Sequence, residues 1–166
     1  IVTADKDLLQ LVGPRCWCLD TQKNKFSNVD EALEKFGVPP EKIAEIQALC
    51  GDSVDNIPGA PGIGPKGAQE LIKYYGSLAK LLEAAEKRDN PVPVVKEDPL
   101  KGKKFESIKN NIPLINTSLE LVSLSPDAPR PTDVADFLIH DPRKKEFLEW
   151  SQSLGLEKLA TRIIGD

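Results

Sequence analysis

The chain has 166 residues, of which 40% are hydrophobic and 29% are charged, and its formal net charge is −4. These values are ordinary for one soluble globular domain, and the absence of an apolar run of about 20 residues excludes a transmembrane helix. The negative charge argues against a nonspecific polyanion binder with a basic surface, unless metal ions cover the acidic residues.

Methionine and cysteine usage indicates the cellular context. The sequence contains no methionine and no signal-peptide pattern, so we expect it to be part of a longer protein without a membrane partner. Cys16, Cys18 and Cys50 are an odd number, and His140 lies far from them in sequence, which argues against a disulfide framework and a zinc site. Free thiols in a reducing cytoplasm are the simpler interpretation.

The first residues predict the end of a buried strand. Ile1–Thr3 is a β-branched run that stops at Ala4–Asp5, and ligands gather at the carboxyl ends of strands in open α/β sheets. If the backbone stays extended, Asp5 and Asp7 face the same side and form a site for Mg²⁺ or Mn²⁺. For this pair taken alone, a solvated loop in which Asp7 caps a helix is the simpler interpretation.

Two short elements follow before the helical region begins. Leu8–Val12 predicts a helical turn that Gly13–Pro14 breaks, and Cys16–Leu19 predicts a second short strand.

Apolar residues at helical spacing dominate from Asn28 onward, so most of the chain is predicted to be helical. N-cap residues, prolines suited to a first turn and terminating glycines divide this region into segments. The predicted helices begin after Asn28, near Pro40, at Pro65 and after Ser77, and three of them end at Gly37, at Gly51 as a left-handed cap, and at Gly76.

The second half predicts a loop followed by further helices. Asp89–Lys104 is rich in proline and charge and predicts an exposed loop, whose lysines fit either DNA contacts or solvation. Helical spacing resumes over Phe105–Leu119, where Pro113 predicts a kink or a boundary, and Leu119–Leu124 is alternatively a strand. Phe137–Ile164 predicts two helices separated near Gly155.

One segment combines acidic residues with closely spaced glycines. It is Gly51–Ala68, which reads GDSVDNIPGAPGIGPKGA. At spacing i, i+3, Asp52 and Asp55 share one face of a helical turn and again bring two carboxylates together. Local turn or cap chemistry is an equal alternative for this pair alone, but two such pairs in one chain favour a metal site.

The glycine-rich part of this segment predicts a phosphate-binding hairpin between two helices. A Rossmann loop needs a preceding strand, which is absent, and Pro65 and Gly67 break the P-loop pattern. The N–H groups of Gly62, Gly64 and the next helix start can bind one phosphate while Lys66 adds charge. Such a hairpin contacts the nucleic-acid backbone rather than the bases, and a helix corner without a ligand is the alternative.

Thr3–Val12 and Gly51–Ala68 resemble two acidic motifs and the helix-hairpin-helix of the metal-dependent 5′ nucleases. This family includes the flap endonucleases and the N-terminal exonuclease domain of bacterial DNA polymerase I, and the resemblance is strong from Ile1 to about Leu82. It implies an α/β fold, predominantly helical here, with the end of a parallel sheet followed by a helix-hairpin-helix subdomain and terminal helices.

The resemblance also implies four divisions of the chain. They are the edge of the nuclease core at 1–27, the helix-hairpin-helix subdomain at 28–88, a loop at 89–104, and a helical region packing on the core at 105–166.

The site residues follow from the same resemblance. The implied catalytic metal ligands are Asp5, Asp7, Asp52 and Asp55. The implied DNA-binding residues are Lys6, Gly59, Gly62, Ile63, Gly64 and Lys66. The implied cofactors are two Mg²⁺ or Mn²⁺ ions in the parent protein, with K⁺ at the hairpin.

The resemblance implies a structure-selective 5′-3′ exonuclease or flap endonuclease that hydrolyses DNA phosphodiesters by a two-metal mechanism in replication and repair. Its substrates would be flap, nicked or 5′-ended duplex DNA. The protein would be a monomer located at the nucleoid in the bacterial cytoplasm, and the parent protein would carry a covalently attached polymerase domain.

Family members carry further carboxylates upstream, so we expect the 166-residue chain alone to bind duplex DNA weakly and to hydrolyse it negligibly. A non-catalytic helix-hairpin-helix DNA-binding module is the alternative. The paired carboxylates favour the nuclease, because a binding module has no use for them beside a polyanion.

Overall fold

The computed structural model describes residues 1–91, 95–129, 133–138 and 143–164, without the side chains of residues 134 and 136. Two compact units divide the chain, Ile1–Pro126 and Asp127–Asp166. The lone histidine, His140, lies outside the described residues. Among the described residues, no helix combines the length and the apolar character needed to cross a bilayer.

The first unit starts with a small amount of β-structure. Val2 forms a single parallel bridge with Leu19, in which the Thr3 N–H donates to the Leu19 carbonyl at 2.9 Å. Strand β1 (Cys18–Asp20) pairs antiparallel with strand β2 (Lys25–Ser27). The parallel pairing expected of the first residues is therefore present as one bridge.

The helices of the first unit follow the predicted order. A 3₁₀ helix spans Asp7–Leu11 and another spans Pro40–Lys42. The α-helices are α1 (Val29–Phe36), α2 (Ile43–Cys50), α3 (Pro65–Tyr75), α4 (Leu78–Lys87), α5 (Gly102–Asn110) and α6 (Ile112–Val122). The predominantly helical α/β chain predicted from the sequence is confirmed.

Local signals set most helix boundaries. Asn28 and Glu31 form a reciprocal capping box at the start of α1, and the Ser77 hydroxyl accepts a hydrogen bond from the Lys80 N–H at the start of α4. Helix α3 ends at Gly76, as predicted, and Gly76 has a left-handed conformation with a φ of 78°. These helix ends depend on neighbouring residues alone, which is why the sequence predicts them.

Helix α2 lies at the centre of the core. It packs chiefly against α3 and α6, and its Ile46 and Leu49 are fully buried with Leu71 of α3 and Ile115 of α6. A second cluster, which includes Leu9 of the first 3₁₀ helix, lies against the start of α2. Helix α2 therefore connects the β-structure with the rest of the unit.

Three sequence-based expectations need correction. Pro113 marks a boundary, because α5 ends at Asn110 and α6 runs from Ile112 to Val122, so the strand alternative at Leu119–Leu124 is wrong. Gly51 has a positive φ of 74°, but its ψ of 174° is extended rather than left-handed helical.

The loop between α4 and α5 is the third correction. The expectation of an exposed segment is wrong at Asp98 and Leu100, which are buried, and α5 already begins at Gly102. The Asp98 carboxylate accepts hydrogen bonds from the Tyr75 hydroxyl at 2.8 Å and from the Arg88 guanidinium. A buried ion pair therefore holds part of this loop against the helices.

The second unit contains a 3₁₀ helix at Val134–Phe137 and helices α7 (Lys144–Ser153) and α8 (Glu157–Ile164). The two α-helices are separated at Gly155, whose φ is 69°, as the sequence predicted.

Candidate metal centre and nucleic-acid interface

Three carboxylates from two separate parts of the chain converge beside α2. One oxygen from each of Asp7, Asp52 and Asp55 lies within 4.8 Å of the other two. Asp7 begins the first 3₁₀ helix, whereas Asp52 and Asp55 follow the end of α2. Hard divalent cations take carboxylate oxygens as ligands, so this donor set fits such an ion.

A closed turn positions Asp52 and Asp55. Asp52 and Ile57 exchange two backbone hydrogen bonds of 2.9 and 2.8 Å, and Asn56 between them has a φ of 57°. The Asp52 carboxylate also accepts from the Val54 N–H at 3.1 Å. This bridged turn replaces the helical turn suggested by the i, i+3 spacing, yet it still brings the two carboxylates together.

Asp5 is not one of the three grouped carboxylates. Lys6 has helical φ and ψ of −68° and −24°, so the backbone between Asp5 and Asp7 is not extended. The Asp5 carboxylate instead accepts a hydrogen bond from the Asp7 N–H at 2.9 Å. Asp5 is thus the residue that caps this turn, and its role as a metal ligand stays a prediction.

The Lys6 ammonium lies among the carboxylates. Its Nζ is 2.5 Å from Asp52 Oδ2 and 3.9 Å from Asp55 Oδ2. Burial disfavours the charge of Asp52, but hydrogen bonds from Lys6, the Val54 N–H and Gln47 outweigh it and hold the pKa of Asp52 below its ordinary value. The hydrogen bond with Asp52 raises the pKa of Lys6. Both groups are therefore charged at neutral pH.

Gln47 of α2 is a site residue that the sequence reasoning missed. Its Nε2 donates to Asp7 Oδ1 at 2.5 Å and to Asp52 Oδ2 at 3.2 Å. Its Oε1 is buried without a hydrogen-bond partner among the described residues, as expected of an atom that meets a water or ion at an occupied site. The available signal was an amide inside the apolar run from Ile46 to Leu49.

The glycines of the hairpin fall into two groups. Gly59 and Gly51 allow a close backbone approach, because a Cβ on Gly59 would overlap the Gly51 backbone and one on Gly51 would lie 2.6 Å from the Ile57 carbonyl oxygen. Gly62 and Gly64 face open space, with no atom within 4 Å of an added Cβ. The first group holds the hairpin on α2, and the second leaves its backbone accessible to a ligand.

The end of the hairpin carries the groups expected to meet a phosphate. Ile63 is buried at 4% exposure and anchors the turn, while Lys66 is exposed in the first turn of α3. Gly64 caps α3 without a side-chain hydrogen bond, so its first N–H groups are not taken by a capping side chain.

Helix α5 supports the hairpin from the side. The Ser107 hydroxyl donates to the Pro61 carbonyl at 2.6 Å, and the Lys104 ammonium lies 2.6 Å from a Glu70 carboxylate oxygen on α3. The basic start of α5, with exposed Lys101 and Lys103, therefore lies on the hairpin side of the unit.

Carboxylates that fit a divalent cation, joined through one short turn to a hairpin with an accessible backbone, are typical of metal-dependent nucleases. Residues 38–145 match the family described as "5'-3' exonuclease, C-terminal SAM fold". The chain belongs to this 5′-3′ exonuclease family.

Two curated relatives illustrate the match. The chain is 43% identical over 143 residues to DNA polymerase I of Rhizobium leguminosarum, covering 86% of this chain and 13% of the relative. It is 32% identical over 144 residues to flap endonuclease Xni of Shewanella oneidensis, covering 87% of this chain and 51% of the relative. The chain thus spans no more than about half of the length of either relative.

Solved structures show the same fold. The T5 D15 protein co-crystallised with metal ions matches with a TM-score of 0.60 at 20% identity, covering 99% of this chain and 53% of that one. A T5 D15 flap endonuclease variant in a pseudo-enzyme-product complex with DNA and metal ions matches with a TM-score of 0.60 at 18% identity, over 99% and 52%.

Proposed function

We propose that this chain is the C-terminal half of a structure-selective 5′ nuclease that hydrolyses DNA phosphodiesters in replication and repair. The observation that carries the proposal is the convergence of Asp7, Asp52 and Asp55 within 4.8 Å, one turn away from an accessible hairpin. A DNA-binding module without chemistry would gain nothing from three carboxylates beside a polyanion.

The carboxylate cluster would hold one Mg²⁺ or Mn²⁺ ion of a two-ion site, with Asp5 proposed as a further ligand. Asp7, Asp52 and Asp55 would hold this ion, which when bound would supply charge neutralisation at a phosphate and activation of a water. Gln47 fixes the orientation of Asp7 and Asp52 through its two hydrogen bonds. The bridged turn keeps Asp52 and Asp55 in place without relying on the metal.

The hairpin would hold the duplex through its sugar-phosphate backbone. The N–H groups near Gly62 and Gly64 and the charge of Lys66 suit one phosphate, and Gly59 and Ile63 shape the turn that presents them. A K⁺ ion bound by backbone carbonyls at the hairpin belongs to the same proposal. Because these contacts ignore the bases, the substrate class is set by DNA shape: flap, nicked or 5′-ended duplex.

The setting of the parent protein is also proposed. Relatives named DNA polymerase I support a covalently attached polymerase domain in the parent. We propose a monomer that acts at the nucleoid in the bacterial cytoplasm.

Mn²⁺ titration tests the proposed metal site. We expect the wild-type chain to bind Mn²⁺, and the Asp52→Asn, Asp55→Asn double variant to bind at least about tenfold more weakly, because two anionic ligands become neutral. The matched control is Asp30→Asn with Glu86→Gln, which removes two exposed carboxylates elsewhere and should change the affinity less than about twofold. Unchanged binding by the Asp52, Asp55 variant would favour the non-catalytic module.

A further inference from the structure

Lys6 occupies the space in which a divalent cation would contact Asp52. Its Nζ lies 2.5 Å from Asp52 Oδ2, and Gln47 donates to the same oxygen at 3.2 Å. A hard divalent ion bound directly to this carboxylate would lie about 2.0–2.6 Å from one of its oxygens. An ammonium and a divalent ion cannot both stay there, because like charges at this separation repel strongly.

The surroundings strengthen this competition. The Asp52 side chain is 6% exposed and that of Lys6 is 28% exposed, so water screens their contact only partly. Asp52 Oδ1 already accepts from the Val54 N–H, so Oδ2, the oxygen that Lys6 holds, is the one less constrained by the backbone. The ammonium therefore stands in for a cation in the metal-free protein.

A cavity beside this position extends to the start of α3. This cavity, of about 270 Å³, is lined by Lys6, Lys35, Gln47, Asp52 and Pro65, among others. Pro65 is the first residue of α3, so the cavity joins the carboxylate cluster to the helix start where a phosphate is expected. A lysine has a flexible four-carbon stem and can turn into this cavity when its carboxylate partner is taken.

We propose that Lys6 is a resident counter-cation which divalent metal displaces, and that the released ammonium then contacts a DNA phosphate between the metal centre and the hairpin. This inference rests on the proposed function, because it assigns to Lys6 a role in coupling metal loading to DNA binding at that same site. Metal binding and DNA binding then strengthen each other through one side chain.

The first test measures the Mn²⁺ dissociation constant by electron paramagnetic resonance for the wild type, Lys6→Met and Lys35→Met. Lys6→Met keeps the apolar stem and removes the competing charge, so Mn²⁺ should bind about threefold to fivefold more tightly, which matches the strength of a partly exposed ion pair. Lys35→Met is the matched control, since Lys35 lines the same cavity but places its Nζ 5.4 Å from the centroid of the Phe36 ring, and the charge of Asp7 is the weakest influence on its pKa. Its effect should stay below about twofold.

The second test measures the salt dependence of duplex binding with and without divalent metal. In EDTA, the salt slope of Lys6→Met should match that of the wild type, because Lys6 is then paired with Asp52 and makes no phosphate contact. The affinity of the variant in EDTA should be lower, because its carboxylates are no longer offset. With metal, the slope of log affinity against log salt should be smaller by about 0.9 in Lys6→Met, which is the loss of one phosphate contact. Circular dichroism melts confirm that all three proteins are folded.

Three outcomes overturn the inference, and the first two separate its failure from that of the proposed function. If the wild type binds Mn²⁺ but Lys6→Met binds it equally or more weakly, Lys6 is not a competitor and this inference alone fails. If wild type and variants all bind no Mn²⁺, the proposed metal site fails and the inference fails with it. A Lys6→Met salt slope equal to that of the wild type in metal would refute the contact with phosphate.

Discussion

At the scale of single residues, the carboxylate cluster depends on neutral and cationic partners as much as on its acids. Gln47 links Asp7 to Asp52, and Lys6 offsets the charge of Asp52 and Asp55. Without such partners, carboxylates whose oxygens lie within 4.8 Å would repel each other in the metal-free protein. The residues that do not bind metal therefore preorganise those that would.

Gln47→Leu should weaken Mn²⁺ binding about tenfold, because residues that orient metal ligands typically contribute 10–100-fold to affinity. The measurement is a Mn²⁺ titration of the folded variant. Gln10→Leu is the control, since Gln10 also donates a side-chain hydrogen bond, but to the Val122 carbonyl of α6 rather than to a carboxylate of the cluster. Equal Mn²⁺ affinity in Gln47→Leu and the wild type would show that Gln47 does not contribute to metal binding.

Gly64→Ala should weaken DNA binding while changing the stability of the fold little. Gly64 has an ordinary φ of −90° and open space where a Cβ would stand, so alanine should cost no more than about 1 kcal/mol of unfolding free energy, which reflects its poorer preference for the N-cap position. A methyl group on the accessible backbone should nevertheless reduce duplex affinity at least about threefold, because it hinders the approach of a phosphate. Fluorescence anisotropy measures the affinity and a urea melt the stability.

The control for this substitution lies in the same hairpin. Gly59→Ala should destabilise the fold by more than about 2 kcal/mol, because its Cβ would overlap the Gly51 backbone and its φ is 61°. Full duplex affinity in a folded Gly64→Ala protein would show that the duplex does not approach this backbone.

At the scale of elements, the hairpin is held from several directions. The Ala60 N–H donates to the Leu49 carbonyl of α2 at 2.7 Å, and Ser107 of α5 holds the Pro61 carbonyl. The position of α5 depends in turn on the loop before it, where Asp98 accepts hydrogen bonds from Tyr75, Arg88 and the Leu100 N–H. The loop ion pair therefore supports the hairpin side of the unit indirectly.

Asp98 should make the stability of the first unit depend on pH in the acidic range. Burial disfavours its charge, but the hydrogen bonds from Arg88, the Leu100 N–H and Tyr75 outweigh it and hold the pKa of Asp98 below its ordinary value. Its contribution is therefore present above the unfolded pKa of about 3.9 and is lost as pH falls through the lower folded pKa. Asp98→Asn should cost about 2–4 kcal/mol at pH 7 because it leaves Arg88 without its anion.

Urea melts between about pH 7 and pH 2.5 measure this effect as a difference between wild type and Asp98→Asn. The gap in the free energy of unfolding should narrow as pH falls below about 4, since the wild-type carboxyl is then neutralised as well. Tyr75 should remain a hydrogen-bond donor throughout, because burial and Asp98 raise its pKa to about 12. A gap that stays constant with pH would contradict the role of Asp98.

At the scale of the whole molecule, the acidic net charge does not oppose the proposed DNA binding, because acidic and basic side chains lie in different places. The carboxylates of Asp52 and Asp55 gather at the proposed metal centre, whereas exposed Lys66 and the basic start of α5 lie at the hairpin. The net charge of −4 describes neither surface. Local charge and the proposed ion decide binding instead.

Sequence reasoning reached the features that depend on neighbouring residues. The caps at Asn28 and Ser77, the start of α3 at Pro65 and the acidic pair at Asp52 and Asp55 all follow from short patterns. The same reasoning placed Asp5 beside Asp7 only by assuming an extended backbone, which the 3₁₀ helix replaces.

The missed features depend on contacts between distant residues. Gln47 meets Asp7 across 40 positions, and Asp98 meets Tyr75 across 23, so no local periodicity indicates either contact. A polar residue within an apolar helix is the one available hint, and it does not name the partner. Tertiary packing thus completes a site that short motifs only outline.

The most direct test of the central claim is an anomalous diffraction map from a crystal of the chain soaked in Mn²⁺. We expect a peak within about 2.5 Å of a carboxylate oxygen of both Asp52 and Asp55, and close to Asp7, beside the hairpin. A fully soaked crystal with its Mn²⁺ peak elsewhere, or with none at these carboxylates, would contradict the claim that this turn joins a metal centre to a DNA-binding hairpin.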